Sequence, residues 1–257
     1  MRRRLRWIET RVLPRGWSDV LRQLLLFVTA YLLYQLVRGL VNGGNGYKPF
    51  GDAIKIIDFE RLLHVFVEPS IQAWTSSVDW LMDLAAWTYL NAHVVVTIGA
   101  LTFIYLRRND SFYFVRNTFM VAMAIALVGY ALYPTAPPRL MPAWGFTDSI
   151  SQFLGTPHVD AGPAKALLNL YAAVPSMHVC FAVMIGVPMA RLARSWPARL
   201  TWRAYPLLVT FVVVATGNHY LTDVVLGTLT AGASALAAQR LLARARPGAW
   251  AFTQATA

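Results

Sequence analysis

Cysteine, lysine and acidic residues are all scarce in this chain. Cys180 is the only cysteine, so no intrachain disulfide can staple the fold. It lies inside an apolar run, where a thiol serves as a packing residue. Lysine occurs three times, at Lys48, Lys55 and Lys165, and the remaining basic residues are arginine, as in a GC-rich bacterial genome. Twelve acidic residues against 23 basic ones leave a formal net charge of +11 over 257 residues. Charged residues total only 14%, while 57% of the chain is apolar and the mean hydropathy is +0.46. That composition excludes an ordinary soluble domain and points to an integral membrane protein.

Six apolar runs approach the roughly 20 residues that a bilayer core demands. They are Val20–Val41, Ala86–Leu106, Phe114–Tyr133, Met177–Leu192, Tyr205–Tyr220 and Val224–Leu242, of which the fourth and fifth are shorter than the rest. No internal repeat is visible. The expectation is an all-α membrane protein with six transmembrane helices in one domain, residues 20–246. A basic cytoplasmic segment precedes it over residues 1–19, and a disordered tail follows over 247–257. The Arg-rich start has no small-residue cleavage site after its apolar run and reads as an uncleaved signal-anchor.

The positive charge is unevenly placed. Seventeen of the 23 basic residues fall before the first run or at its start, between the second and third or at the third's start, between the fourth and fifth or at the fourth's end, or at and just beyond the end of the sixth. Six fall on the other side: Arg38, Lys48, Lys55, Arg61, Arg139 and Lys165. The positive-inside rule then puts both termini in the cytoplasm of a bacterial plasma membrane. The charge reflects topology and anionic-lipid contact, not nucleic-acid binding. Asp148 and Asp160 fall on the extracytoplasmic side.

Asn42-Gly43-Gly44-Asn45-Gly46 is a turn. Beyond it, Ile54, Ile57, Leu62, Val65 and Phe66 punctuate the charged stretch Asp52–Glu68, which reads as an amphipathic helix in the outer interface. A second such stretch carries Trp74, Val78, Trp80, Leu81 and Leu84, with tryptophans suited to the headgroup zone. These segments either frame a lateral entrance for lipid or form a packed lid. Prolines at 134, 137 and 138 end the third run and stiffen the presentation of Arg139.

Two motifs carry the chemistry. Pro175-Ser176-Met177-His178 opens the fourth run, and Asn218-His219-Tyr220-Leu221-Thr222-Asp223 lies between the fifth and sixth. Both fall on the extracytoplasmic side by a charge count that did not use them. A neutral imidazole is a good nucleophile. A carboxylate on its other nitrogen fixes the tautomer and stabilises the charge that develops. His219 and Asp223 are four apart and share a face if helical. His178 has the pKa range of a general acid. Ser176 and the free amides of the helix starting near His178 can hold anionic oxygens.

At these residues the chain resembles the type 2 phosphatidic acid phosphatase superfamily, and most closely the branch that includes inositol phosphorylceramide synthase. The second motif of that superfamily is Pro-Ser-Gly-His, met here by 175–178 with Met177 for Gly. Its third motif ends in His-x3-Asp, met by His219 and Asp223, and the branch often reads Gly-Asn-His-Tyr there, as at 217–220. The resemblance runs over about Asp58–Ala231, including Pro137-Pro138-Arg139 and Asn91-Ala92-His93. It implies His219 as nucleophile, Asp223 as its orienting carboxylate, His178 as general acid and Ser176 as a phosphate ligand. The implied substrate is a lipid phosphate or phospholipid, and no cofactor or metal is required.

Two superfamily cations are absent. The first-motif Lys would stand seven before Arg139, where the chain has Leu132, and the third-motif Arg would stand at Val213. Arg139 can replace one of them, and Asn218 or His93 can supply a neutral donor. Fewer cations suit a phosphodiester better than a phosphomonoester, which leaves phosphatase and headgroup transferase both open. A metal site built from the histidines is a competing reading, disfavoured because Asp223 already explains His219. A non-enzymatic lipid-binding protein with a degenerate site is another. Against it stand the retained His178, His219 and Asp223, which are costly at a membrane edge. His64 and His158 read as interfacial or loop residues.

The charge asymmetry predicts that single cysteines at Thr156 and Arg199 label from opposite sides of intact cells. An impermeant maleimide should reach Thr156→Cys first, and prior labelling of Arg199→Cys would invert the topology.

Overall fold

Proline, glycine and serine set the limits of the helices. The computed structural model describes residues 13–40, 47–155 and 171–242, and among them there is no strand, only an isolated bridge between Thr135 and Ala172. The helices are α1 (Gly16–Leu40), α2 (Lys48–Leu62), α3 (Glu68–Ser76), α4 (Asp79–Trp87), α5 (His93–Arg107), α6 (Asn109–Leu132), α7 (Ser149–Leu154), α8 (Met177–Leu192), α9 (Trp196–Ala215) and α10 (Leu221–Leu236). A π-helical turn, Thr88–Ala92, joins α4 to α5, and another, Ala237–Leu242, extends α10. His158, Asp160, Lys165 and the expected tail lie outside the described residues.

Five helical runs are long and apolar enough to cross a membrane: Gly16–Val37, Asp79–Arg107, Asn109–Leu132, Trp196–Ala215 and Leu221–Arg240. The chain is therefore a multi-pass membrane protein. α8 is apolar but only 16 residues long. All five bounds shift from the sequence expectation, and two spans begin seven or more residues early. The second begins at Asp79, not Ala86, because the stretch expected to lie in the interface is split. Trp74 ends up in α3, whereas Trp80, Leu81 and Leu84 belong to α4 and continue into α5. The fifth spans Trp196–Ala215, not Tyr205–Tyr220. Ser195 Oγ caps its start by accepting from Ala198 N–H at 3.4 Å, with Pro197 in the first turn. At the other end Gly217 adopts φ +65°, a left-handed conformation open to glycine, and closes the helix.

Helix direction separates the two motifs from the arginines. The continuous α4–α5 run, α8 and α10 begin, and α6 and α9 finish, toward one end of the bundle. Arg107, Arg191 and Arg240 lie at the far ends of α5, α8 and α10. At that arginine end α1 is fastened by a buried polar cluster: Tyr105 and Tyr113 hydroxyls each donate to Asp19 Oδ2 at 2.9 Å, and Gln23 Nε2 donates to Asp19 Oδ1 at 2.9 Å. α1 is the least buried of the long helices and α6 the most.

The core of α6 and α8 packs around Phe119, Met123, Tyr130, Cys180, Met184 and Ile185. Three glycines allow close approach. A Cβ at Gly129 would sit 2.8 Å from Pro175 Cδ, and one at Gly186 would sit 2.7 Å from Trp202 O. A Cβ at Gly227 would overlap the Ser176 carbonyl group, so α10 lies directly on the backbone that carries the second motif. α2 covers this end through Ala53, Ile56, Ile57 and Glu60. The expected stripe was partly different, since Leu62 and Ile54 face outward.

Gly227→Ala should therefore lower stability by roughly 1–3 kcal/mol, the usual cost of overpacking. Gly232 in the same helix has open space at its Cβ, so Gly232→Ala should raise it by about 0.5–1 kcal/mol. Thermal unfolding in detergent measures both. Equal effects of the two substitutions would contradict the close α10–Ser176 packing.

Candidate active site

The turn between α9 and α10 builds the first half of the site. Gly217, Asn218 and His219 N–H groups donate to Val214 O at 2.9 Å, Val213 O at 2.9 Å and Val213 O at 3.2 Å. Asn218 Nδ2 donates to Thr216 Oγ1 at 2.8 Å, so this side chain closes the turn. His219 and Asp223 do not share a helix face, because His219 is not helical and the condition for that arrangement is not met. His219 precedes the helix, Tyr220 is its N-cap and Asp223 its third residue. The carboxylate reaches back instead: Asp223 Oδ2 accepts from Tyr220 N–H at 3.0 Å and meets His219 Nδ1 at 3.2 Å. This is the carboxylate half of a capping box, extended by one residue to an imidazole.

α8 supplies the second half. Ser176 is its N-cap, and its Oγ accepts from Val179 N–H at 3.4 Å. A hydroxyl used as acceptor retains a proton to donate. The two motifs are joined directly, because Ser176 N–H donates to Asp223 O at 3.1 Å. His178 follows in the first turn, with its ring centroid 5.8 Å from that of His219. His93, at the start of α5, lies 5.1 Å from His178 between ring centroids, and its Nδ1 meets Tyr205 Oη at 3.1 Å. His93 Nε2 is buried without a hydrogen-bond partner. Tyr89 covers His178 at 4.6 Å.

Arg139 lies against the same turn. Its N–H donates to Gly217 O at 2.7 Å, and a Cβ at Gly217 would touch Arg139 Cβ at 3.4 Å. Its guanidinium Nη1 is ion-paired to Asp148 Oδ2 at 3.3 Å, and its Nε is buried without a partner. Asp148 also caps α7, accepting from Ser151 N–H at 3.2 Å. Gln72 from α3 exchanges two 3.0 Å hydrogen bonds with the Thr147 backbone and holds this loop in place.

The structure thus gathers His93, His178, His219, Asp223 and Ser176 at one end of the bundle, with Asn218 in the turn and Arg139 flanking it. His64 sits apart, exposed in the loop after α2. Sequence reasoning missed Tyr89 and Tyr205, for which no local pattern speaks. It also missed Glu60 and Glu68, whose carboxylates accept from Thr222 N–H at 2.7 Å and Leu221 N–H at 2.9 Å. A signal for Glu60 was present: Ala53, Ile56, Ile57 and Glu60 repeat at helical spacing, so an acid closes an apolar stripe.

Buried carboxylates make this environment unusual. Burial and the neighbouring Asp223, Glu60 and Glu68 push the Tyr220 phenol well above its ordinary value, and its hydroxyl donates to Ala136 O at 3.3 Å. Among the described residues, no group of three His, Cys, Asp or Glu is arranged to hold a metal ion.

Residues 54–237, most of the chain, match the sequence model of the PAP2 superfamily. The chain belongs to that superfamily, whose members are generally phosphatases. No curated protein and no solved structure matches it significantly.

Proposed function

We propose that this protein transfers a phosphoryl group from a membrane lipid by way of a phosphohistidine on His219. The observation that carries the proposal is the hydrogen-bonded line from Ser176 through Asp223 to His219, with the His178 ring beside it. Asp223 accepts from the Nδ1–H of His219, and this tautomer leaves the Nε2 lone pair free to attack. Attack forms an N–P bond as the bond from phosphorus to the leaving oxygen breaks. His178 gives that oxygen a proton. In the second half His178 takes a proton from the acceptor, whose oxygen bonds to phosphorus as the N–P bond breaks. Ser176 and the first amides of α8 receive the non-bridging oxygens. Each step needs only a carboxylate, two imidazoles and hydrogen-bond donors, so the route requires no metal ion or cofactor.

The substrate is a lipid phosphate or phospholipid, since the site lies at one end of a membrane bundle. With water as acceptor the enzyme is a lipid phosphatase. One observation favours the second reading, transfer of a phosphodiester headgroup such as inositol phosphate to a lipid alcohol. Asp148 already engages the flanking arginine, Arg139. A site with so little free positive charge suits a phosphodiester, which carries one negative charge. α8 is read as the sixth, shorter span, and α2 and α3 as the extracytoplasmic interfacial cover. Both termini then lie in the cytoplasm, and the site is extracytoplasmic.

His219→Ala should reduce turnover of the cognate lipid by about 10³-fold or more, and Asp223→Asn by roughly 10²–10⁴-fold through loss of the working tautomer. The assay is purified protein with polyprenyl, diacylglycerol and sphingolipid phosphates, each with and without alcohol acceptors. Near-normal turnover by His219→Ala would remove the proposal. Wild-type turnover should be unchanged by EDTA, and a chelator-induced loss restored by a divalent ion would replace the imidazole route with a metal one.

A nitrophenyl phosphate ester has a leaving group that needs no protonation. With it, the His178→Ala defect in the first step should shrink relative to the natural lipid. An equal defect on both would deny His178 the acid role.

A further inference from the structure

Two buried acids at this end of the molecule have no part in that mechanism. Glu60 and Glu68 are 1% and 0% exposed. The loop between them turns back through His64, at φ +58°, and Val65 N–H donates to Glu60 O at 2.9 Å. Both side chains are thereby aimed at the first turn of α10. Tyr220, Leu221 and Thr222 present three successive amides there, and Asp223, Glu68 and Glu60 take one each, at 3.0, 2.9 and 2.7 Å.

Three full negative charges exceed what a helix start can hold, since it offers only about half a positive charge. The Arg61 guanidinium is turned away over the Trp144 and Phe66 rings, at 4.4 and 5.2 Å. Among the described residues the ion pairs are Lys55–Asp52, Arg139–Asp148 and His219–Asp223, none of which includes either glutamate. Glu60 Oε2 and Glu68 Oε2 are both buried and meet no donor from another residue. The two carboxyl groups are nevertheless held side by side, because they accept from the successive amides Leu221 and Thr222. Two carboxylates so placed repel. One carboxylic acid facing one carboxylate makes a charge-assisted hydrogen bond that satisfies both orphan oxygens.

We propose that Glu60 and Glu68 share one proton, and that this singly charged pair clamps the first turn of α10 and positions the His219–Asp223 pair. The positioning role rests on the phosphoryl-transfer reading; the shared proton does not. Burial, followed by the Glu68 side chain, pushes the Glu60 carboxyl up to about 8. The ionisable neighbours on the helix start are Asp223 and Tyr220. On α9, which packs on α3, the stretch 206–215 has no ionisable side chain. α4 carries Asp79 and Asp83, both exposed; exposed Arg61 lies in the last turn of α2, and the loop after it carries exposed His64. Arg139, on the adjoining segment, is engaged by Asp148.

The sign of the pH effect follows. Below the ordinary glutamate value of about 4.5, folded and unfolded chains both hold the proton. Between there and about 8 the unfolded chain releases it while the folded pair keeps it. Stability therefore falls as pH rises through this window, and the slope ends above it. Beyond about 8 a second charge appears beside Asp223, and the grip on the amides weakens.

The experiment compares the full-length wild type with Glu60→Gln and Glu60→Ala in detergent. A glutamine carboxamide accepts from Thr222 N–H and donates to Glu68, as the protonated acid does. The infrared spectrum of folded wild type at pH 7 should contain a protonated-carboxyl C=O band that disappears in Glu60→Gln. The loss of thermal stability from pH 5 to 8 should also be reduced in Glu60→Gln. With the nitrophenyl ester, Glu60→Ala should lose about tenfold or more of the rate, as expected when a buried charge-assisted hydrogen bond is removed. Glu60→Gln should restore most of that loss and keep its rate above pH 8, where the wild type declines. Absence of the infrared band, or an unchanged stability slope in Glu60→Gln, would overturn the shared proton. If the band and slope behave as stated but Glu60→Ala keeps full rate, the positioning role is overturned and the proton pair stands. If the wild type turns over no phosphate ester at all, the phosphoryl-transfer reading fails and the positioning role with it, while the spectroscopic result still decides the shared proton.

Discussion

The free amides at the start of α10 are the constraint around which this end of the protein is arranged. A helix that starts at a membrane boundary cannot leave its first N–H groups unpaired. Here all three are met by carboxyl groups drawn from three different segments: α2, α3 and α10 itself. Once Asp223 is committed to the Tyr220 amide, the same oxygen is within reach of the His219 imidazole. Capping the helix and orienting the imidazole are thus one arrangement. The backbone of Asp223 completes it by receiving the Ser176 amide, which sets α8 and His178 beside His219.

The close approach that this requires explains several small residues. Gly227 lets α10 lie on the Ser176 carbonyl, and Gly129 lets α6 lie on Pro175. Gly217 allows Arg139 and Gln72 to press against the turn. The surrounding elements are then held by a few specific bonds: the Gln72–Thr147 pair, Ser149 Oγ donating to Thr216 O at 2.9 Å, and Arg139 to Asp148. A site built in this way has low net positive charge, in keeping with the loss of the two cations that the superfamily pattern would have placed at Leu132 and Val213. Membership of the PAP2 superfamily covers residues 54–237, and this interval contains every residue of the gathered site.

Much of this architecture could be read from the sequence. The helix over Met177–Leu192 coincides with its apolar run, and Ser176 before it is an evident N-cap. Opposed placement of histidines and arginines was visible in the charge count. What escaped was set by contacts distant in sequence. A spacing of four lets His219 and Asp223 meet on a helix face if both are helical; in fact they meet across a helix boundary, which periodicity cannot distinguish. The start of the fifth span was hidden because Arg199 and Arg203 make Trp196–Ala204 look like a loop. Serine and proline at its start decide otherwise. Glu60 and Glu68 looked like the polar side of an amphipathic segment, because burial of an acid depends on amide donors more than 150 positions further along the chain.

The central claim is that His219 forms the covalent bond to phosphorus. The most direct measurement is to incubate the His178→Ala protein, in which breakdown of the intermediate should be slowed, with a nitrophenyl phosphate ester, whose leaving group needs no proton from His178, then quench in base and locate the phosphate by peptide mass spectrometry. Base is used because phosphohistidine is acid-labile. The account predicts phosphate on His219 and none in the His178→Ala/His219→Ala double variant. Phosphate on Ser176 or another residue, or turnover by the wild type with His219 never labelled, would contradict it.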